Sequence, residues 1–538
     1  MWEQMVKVQD KLSKIGNRAG LRTPTADIAL QVPEQRSASA GSFPINPALV
    51  ANYLEQLKSV SSESSTTELI RALQHSNRLA TTPSDRLQIA RLFESAVASE
   101  LNNLNAGFTG VDLPYPARSA TDFDHATTLL QELAASYKVI LLDVLRRRGK
   151  LHRKHRLPVI FQAIKHLSEC GLRFSQSYQS WPDKMWRDLN TLYLCAEREQ
   201  GINKILRKGD CPQTIRQLYS QCCLFAACSG THLSSHDMSQ LYRLLGKYSN
   251  TVDLTDKKQA NDGDTQYCVA LDSAHPPSVA RFSHLQPGQQ VRFLDLEPVL
   301  AILPGTEVTR DEDPLVLSTG DFPSVEPSTS QLRNVVGGMV ERQHGRSVRQ
   351  TLLQAEAGLK EIHASLLPAG TNRLKSANGS KNDYGTQWIV ENRSKGGLGL
   401  KWTGHGNCRV NVGELIAHYE PANQDSGFNI SWHVGIVRWI HSDGQNKLRC
   451  GVETLANYAA AVTTNHINES QSNTSAEALL LNEHPAASRP SMLLVPRRHY
   501  RIGEKINIHN ADHSRSVKLI ANYPVGGNFH CFGFQAIN

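Results

Sequence analysis

Asn392, Ser394, Gly396 and Gly397 fall within one six-residue stretch, Asn392-Arg393-Ser394-Lys395-Gly396-Gly397. Their chemistry is recognition rather than bond making. An Asn side chain offers a carbonyl and amide hydrogens, a Ser hydroxyl donates or accepts, and consecutive glycines leave backbone N–H groups open to an anion. The stretch separates an apolar, β-prone run ending at Glu391 from an alternation at Leu398, Leu400 and Trp402, the pattern of two strands about a tight turn. Groups for catalysis are missing: there is no Walker loop, dinucleotide fingerprint or GxSxG elbow. His152 with His155, and His499 with His509, lack a third ligand at metal spacing, and the neighbouring acids Asp311 and Glu312 fall in a linker. A binding protein without a metal or a catalytic centre is expected.

The same six residues resemble the [D/N]xSxxG signature of PilZ domains, small β-barrels that bind cyclic di-GMP. The runs Arg409–Ile416, Trp432–Ile440 and Leu448–Glu453 are similar to that family's later strands in type and order. The family pairs its turn with an RxxxR motif ahead of the barrel, and Arg342-Gln343-His344-Gly345-Arg346 supplies that pattern, with Arg349 as a spare or alternative second arginine. The resemblance therefore implies cyclic di-GMP as ligand and Arg342, Arg346, Arg349, Asn392, Ser394 and Gly397 as the residues that hold it. Arginine suits this ligand because a guanidinium binds phosphate bidentately, reads the O6/N7 edge of guanine and stacks on a purine. Two departures stand out. The interval from Arg346 to Asn392 is long and includes Leu352–Leu367, whose periodicity is helical, so the meeting of the two motifs in space is assumed. The first signature position is Asn392 instead of the commoner Asp, which accepts fewer hydrogen bonds from guanine and adds no charge, so weaker binding is expected. Without the resemblance, the turn reads as a plain hairpin and the arginines as a solvated patch.

The most basic run lies elsewhere, from Arg146 to Arg156, with five arginines and two lysines among its eleven residues. It could hold nucleic-acid phosphates or anionic headgroups. It also reads as the cationic close of one helix, broken at Gly149 and followed by the next helix at Pro158. No interleaved aromatics and no DNA-reading motif surround it, so nucleic acid is not the expected partner.

A chain of 538 residues exceeds one core and implies several domains. With 40% hydrophobic and 20% charged residues it reads as globular, and a net charge of +8 permits an anionic partner without requiring a nucleic acid. No run has the length of a membrane-spanning helix, since Val139–Leu145 is interrupted by Asp143, and the N-terminal residues lack an apolar signal segment. Cys170, Cys195, Cys222, Cys223 and Cys228 fall in helical apolar patterns and read as buried free thiols. The expectation is a cytoplasmic protein.

Residues 1–45 read as a flexible arm, small and polar without periodicity. Asn46-Pro47 is a helix start, and helices are expected at 68–73, 84–101, 126–145, 158–175, 182–199, 212–227 and 235–247, forming an irregular, tetratricopeptide-like helical domain over 46–250. A polar linker at 253–264 precedes a small α/β connector over 265–313, and a Pro- and Ser-rich linker leads to a PilZ-like β-barrel over 331–462 with a helix around Gln354–Leu367. Thr463–Pro490 reads as a long exposed loop, and 491–538 as a C-terminal β extension. The fold class is α+β multidomain. The expected function is a bacterial cyclic di-GMP receptor whose helical domain contacts protein partners, in control of motility, pili or biofilm. A barrel that has lost the nucleotide and acts only as a protein scaffold, and a nucleic-acid binder using the basic run, are the alternatives.

Overall fold

The computed structural model describes residues 30–39, 42–58, 62–146, 153–207, 212–228, 230–256, 265–281, 288–296, 298, 347, 350–367, 386–394, 396–420, 432–444, 447–467, 475–483, 490–497, 500–510, 513–523 and 529–537. Arg342, Arg346 and Arg349, Arg147–His152 of the basic run, the Pro- and Ser-rich linker and the expected start of the barrel near Gln331 lie outside the described residues.

Eight described α-helices precede the sheets: α1 Pro47–Leu57, α2 Ser62–Arg78, α3 Pro83–Phe108, α4 Ala117–Leu145, α5 Arg156–Gln176, α6 Asp183–Arg198, α7 Ile215–Ala227 and α8 Ser235–Tyr248. Their starts follow from local chemistry. Asn46 accepts hydrogen bonds from the Ala48 and Leu49 N–H groups ahead of Pro47, Thr82 and Ser234 cap α3 and α8, and Thr214 with Gln217 forms a reciprocal capping box on α7. The long α4 is the central element, packing against α2, α3 and α5. Between α4 and α6 a buried ion pair joins Lys138 Nζ to Asp188 Oδ2 at 2.5 Å. No described helix is long and apolar enough to cross a membrane.

Residues 30–39, expected within a flexible arm, lie against these helices. The Gln31 N–H donates to Asp188 Oδ1 (3.0 Å), the buried Arg86 donates to Gln35 Oε1 (2.8 Å), and the Arg36 backbone exchanges hydrogen bonds with Arg78 and Ala80. Composition missed this because the contacts are polar bonds, from backbone and side chain, to residues distant in sequence, which leave no periodic apolar signature.

The connector is a four-stranded sheet in the order β1 (Leu254–Thr255), β4 (Val291–Leu294), β2 (Thr265–Ala270), β3 (Ser278–Arg281). Leu254 and Thr255, expected in a linker, thus form its first strand. The sheet is docked on α6: the Asn190 amide donates to the Ser273 carbonyl (3.0 Å), and Arg292 binds Glu197 through two nitrogens, 2.9 and 2.5 Å.

Two closed six-stranded barrels follow. The first runs β10 (Leu448–Ala456), β7 (Gly397–Trp402), β6 (Thr386–Ser394), β5 (Thr351–Ala357), β8 (Leu415–Tyr419), β9 (His433–Ser442). The helix expected around Gln354–Leu367 is α9, Leu359–Leu366, while Gln354–Ala357 belongs to β5; Gly358, at φ +97°, ends the strand, and Leu353 and Ala355 point to the core. The second barrel runs β11 (Ala459–His466), β12 (Ala476–Leu481), β13 (Met492–Pro496), β16 (Phe529–Ala536), β15 (Ser514–Tyr523), β14 (Lys505–His509). Residues of the expected loop Thr463–Pro490 therefore supply part of β11 and all of β12. Closure leaves neither barrel with an open edge.

One apolar core runs from the helices through Leu113 and Val410 into the first barrel around Trp388, Leu400 and Cys450. A second core joins the outside of β8 and β9 and α9 to β12, β13 and Cys531 of the second barrel. Backbone bonds also fasten helices to barrel: Leu113 and Val410 exchange two hydrogen bonds, 3.1 and 3.0 Å, and the Ser442 N–H donates to the Tyr178 carbonyl at 2.9 Å.

Candidate functional site

The signature stretch closes the β6–β7 hairpin. Ser394 pairs with Gly397, the register expected of a tight hairpin. The Ser394 hydroxyl donates to the Gly397 carbonyl at 3.3 Å, and the Gly396 carbonyl accepts from the Thr454 N–H at 3.0 Å, so the turn is held against β10. Upstream, a register shift between Val390 and Asn392 makes a bulge in β6 and sets Asn392 across from Gly399. A Cβ at Gly399 would come within 2.7 Å of the Asn392 amide nitrogen, so the Asn392 side chain lies directly over that glycine.

These residues border a cavity of about 200 Å3 on the outer face of the barrel, lined by Asn392, Ser394, Gly399, Arg438, Trp439 and Glu453 among others. Its floor depends on missing side chains. A Cβ at Gly451 would overlap the Trp439 indole, 1.8 Å from Nε1, and one at Gly397 would fall 2.1 Å from the Val452 carbonyl oxygen. The wall is aromatic and charged: the Trp439 ring lies over Gly451, and Arg438 Nε donates to Glu453 Oε2 at 2.5 Å. The glycines thus make room for the Trp439 ring and the Asn392 amide to lie close to the sheet, where the ring offers a stacking face, the Asn and Ser groups offer hydrogen bonds, and the guanidinium supplies positive charge.

The long interval between the two motifs does not keep their chain segments apart. Ser347, the covalent neighbour of Arg346, pairs with Arg393 in an antiparallel bridge, each N–H donating to the other's carbonyl at 3.0 Å. Asn392, Ser394 and Gly397 are thus together at one cavity, and Ser347 pairs beside the turn at Arg393. Arg393 is exposed, as expected of a residue between the signature positions, and its guanidinium bonds to Glu420.

Inside the same end of the barrel His418 is buried and stacked on His433, ring centroids 5.2 Å apart. Burial, reinforced by the nearby His433 and Arg393, pushes the His418 pKa down to about 3, so its ring is neutral. Sequence reasoning also missed Arg438, Trp439, Glu453, Gly399 and Gly451 as cavity residues. Their signal was the placement of glycines at 399, 435 and 451 on strands that otherwise read as continuous apolar runs.

The basic run proves partly structural where it is described. The Arg146 N–H caps α4 on the Leu142 carbonyl (2.8 Å), and Arg156 begins α5 with its guanidinium on Glu199 at 3.0 Å.

Three family models match in order along the chain: the N-terminal domain of the cyclic-di-GMP receptor FimW over residues 48–259, its middle PilZ domain over 368–461, and its C-terminal β-barrel domain over 460–537. A protein of Pseudomonas aeruginosa named Cyclic-di-GMP receptor FimW aligns with 95% of this chain and 93% of its own length at 20% identity. The match to the middle domain covers β6 to β10 of the barrel that carries the Asn392–Gly397 turn, and the match to the last domain coincides with the second closed barrel. By this order of domains, the chain belongs to the bacterial PilZ-domain proteins of the cyclic-di-GMP receptor family that carry a helical N-terminal domain.

Proposed function

We propose that this chain is a cytoplasmic receptor for cyclic di-GMP, binding the nucleotide through Asn392, Ser394 and Gly397 of the turn together with Arg346, Arg342 and Arg349 of the preceding segment, and passing its state to protein partners through the helical domain. The observation that carries the reading is the gathering of Asn392, Ser394 and Gly397 at one cavity with Arg438 and Trp439, and the pairing of Ser347, the sequence neighbour of Arg346, with Arg393 supports a part for the arginines. The chemistry suits the ligand: a purine face meets the Trp439 ring, and the phosphates meet guanidinium groups. The cavity joins hydrogen-bonding and stacking groups, an arrangement that supports reception of a ligand. The nine described cysteines are all free thiols, in keeping with a reducing compartment. The named relative's description as a cyclic-di-GMP receptor supports the same ligand, and the process it serves is proposed to be pili, motility or biofilm control.

Titration calorimetry with cyclic di-GMP on the full chain tests this. Arg346→Ala and Ser394→Ala should each weaken binding, the arginine by more than about tenfold, as expected for loss of a charged hydrogen-bonding partner. Unchanged dissociation constants for both variants would move the site elsewhere.

A further inference from the structure

The signature position Asn392 offers one carbonyl oxygen where a carboxylate would offer two acceptors, yet guanine presents N1–H and N2–H side by side on the edge that also carries O6. Among the residues lining the cavity one carboxylate is present, that of Glu453, and it is joined to the guanidinium of Arg438.

Glu453 reaches the cavity by regular alternation in β10, two residues beyond Gly451 and opposite Gly397, whereas Arg438 is brought there by an irregularity. In β9 and β10 the register shifts between Gly451 and Val452: Gly451 faces Trp439 and Val452 faces Val437, so Arg438 is the extra residue of a bulge. In a regular strand neighbours point to opposite faces. Here Arg438 and Trp439 line the same cavity, the re-aiming that a bulge produces. A second bulge, at Val390/Asn392 in β6, sets the opposite wall. Two irregular strands thus face each other across a floor of glycines, with a donor and a carboxylate on one side and an amide on the other.

We infer that Glu453 and Arg438 form the guanine-reading element of this site, the Glu453 carboxylate accepting N1–H and N2–H in place of the acidic residue that the turn lacks, and Arg438 donating to O6. A carboxylate has about four acceptor positions, so its pairing with Arg438 does not exhaust it, and the ion pair orients both groups before the base arrives. The blander role for this pair is a half-exposed cross-strand ion pair of little energetic consequence. It differs in what it predicts: a structural pair has no reason to distinguish one purine from another. The inference rests on the cavity being the nucleotide site.

The experiment compares cyclic di-GMP with cyclic di-IMP, whose hypoxanthine bases keep O6 and N1–H but lack the N2 amino group, by calorimetry on the full chain and on Glu453→Gln and Ser394→Ala. The wild-type chain should prefer cyclic di-GMP by about tenfold, the size expected for one well-made base-edge contact. Glu453→Gln should lose most of that preference, because its cyclic di-GMP affinity falls while its cyclic di-IMP affinity changes much less. Equal wild-type affinity for the two nucleotides overturns the inference without reference to any variant. So does a Glu453→Gln chain that keeps the wild-type ratio. If the wild-type chain binds neither nucleotide, the reading of the cavity itself fails; if it binds and Ser394→Ala weakens it while the Glu453→Gln ratio is unchanged, only the base-reading role fails.

Discussion

The glycines of the cavity floor divide into two kinds, and the division can be measured. At Gly397 an added Cβ would lie 2.1 Å from the Val452 carbonyl oxygen and 3.1 Å from its carbon. A carbon and a carbonyl oxygen approach no closer than about 3.3 Å even in favourable contacts, so Gly397→Ala requires β7 and β10 to separate by roughly 1 Å where backbone, not side chain, is in the way. Overpacking of that kind costs about 1 to 3 kcal/mol. At Gly399 the atoms in the way are Nδ2 and Oδ1 of Asn392, at 2.7 and 2.8 Å, and a side-chain amide can swing aside. Gly399→Ala should therefore leave the barrel intact and cost ligand affinity through the displaced amide, about 0.5 to 1.5 kcal/mol for one hydrogen bond. A chain of several packed domains does not unfold in one step, so the assay is native-state hydrogen exchange, which reads local opening. Exchange at 396–399 and 451–454 should accelerate by roughly 5- to 150-fold in Gly397→Ala and stay near wild type in Gly399→Ala, while calorimetry shows weaker nucleotide binding for Gly399→Ala. Equal exchange in the two variants would refute the distinction between backbone and side-chain obstruction.

Three further outcomes follow from buried groups and from the join between domains. Lys138→Met strands the Asp188 carboxylate in the helical core and should destabilise it by about 3 to 5 kcal/mol, with Lys138→Met/Asp188→Leu recovering most of the loss, read as native-state hydrogen exchange of the α4 and α6 amides; a single variant as well protected as wild type would contradict this. His418 titrates near 6.5 when unfolded and is held down to about 3 when folded, so the unfolded chain binds the extra proton first: its stabilising contribution is present above pH 6.5 and is lost as pH falls, by about 2 kcal/mol between pH 7 and pH 5, a sensitivity that hydrogen exchange of the β8 amides, corrected for intrinsic rates, should show diminished in His418→Phe. The His232 ring donates from Nδ1 to the Arg438 carbonyl at 3.2 Å, so cyclic di-GMP should raise hydrogen-exchange protection at 438–442 and at 230–232 together, and His232→Ala should remove the second change but not the first.

The parts legible in the sequence were those whose determinants are local. Asn46-Pro47, Thr82-Pro83 and Ser234 announce helix starts because capping is chemistry between residues three apart. The turn at Asn392–Gly397 was legible for the same reason, and its signature, with the strands that follow, pointed to the right family. The strand at Thr351–Ala357 was not, since Leu352, Leu353, Leu359 and Ile362 fit a helical period as well as two short elements, and only the positive φ of Gly358 separates them. In β12, Ala-Glu-Ala-Leu-Leu-Leu has little intrinsic strand preference; pairing with β11 and β13 makes it a strand. The cavity walls were hidden for a stronger reason. Gly399 and Gly451 matter because Asn392 and Trp439 lie across from them on neighbouring strands, and Arg438 reaches the cavity because β9 slips one residue against β10. Cross-strand register is not written in either strand alone.

That slip also bears on how the domains are joined. The described contacts offer a short path between the cavity and the helical domain. Arg438 presents its guanidinium to the cavity and its carbonyl to His232, and four residues along β9 Ser442 bonds to Tyr178. One strand is thus both a wall of the cavity and the ledge on which the helical domain rests. Adjacency alone is not coupling; coupling requires that the ligand favour one arrangement of that strand over another. A bulge is where such a preference has room to act, because Arg438 is the extra residue of the β9–β10 register and its backbone departs there from the regular ladder. A ligand that fixes the Arg438 side chain narrows the settings open to its carbonyl, and the energy available to the helical domain is bounded by how much tighter the nucleotide binds the setting in which His232 is engaged.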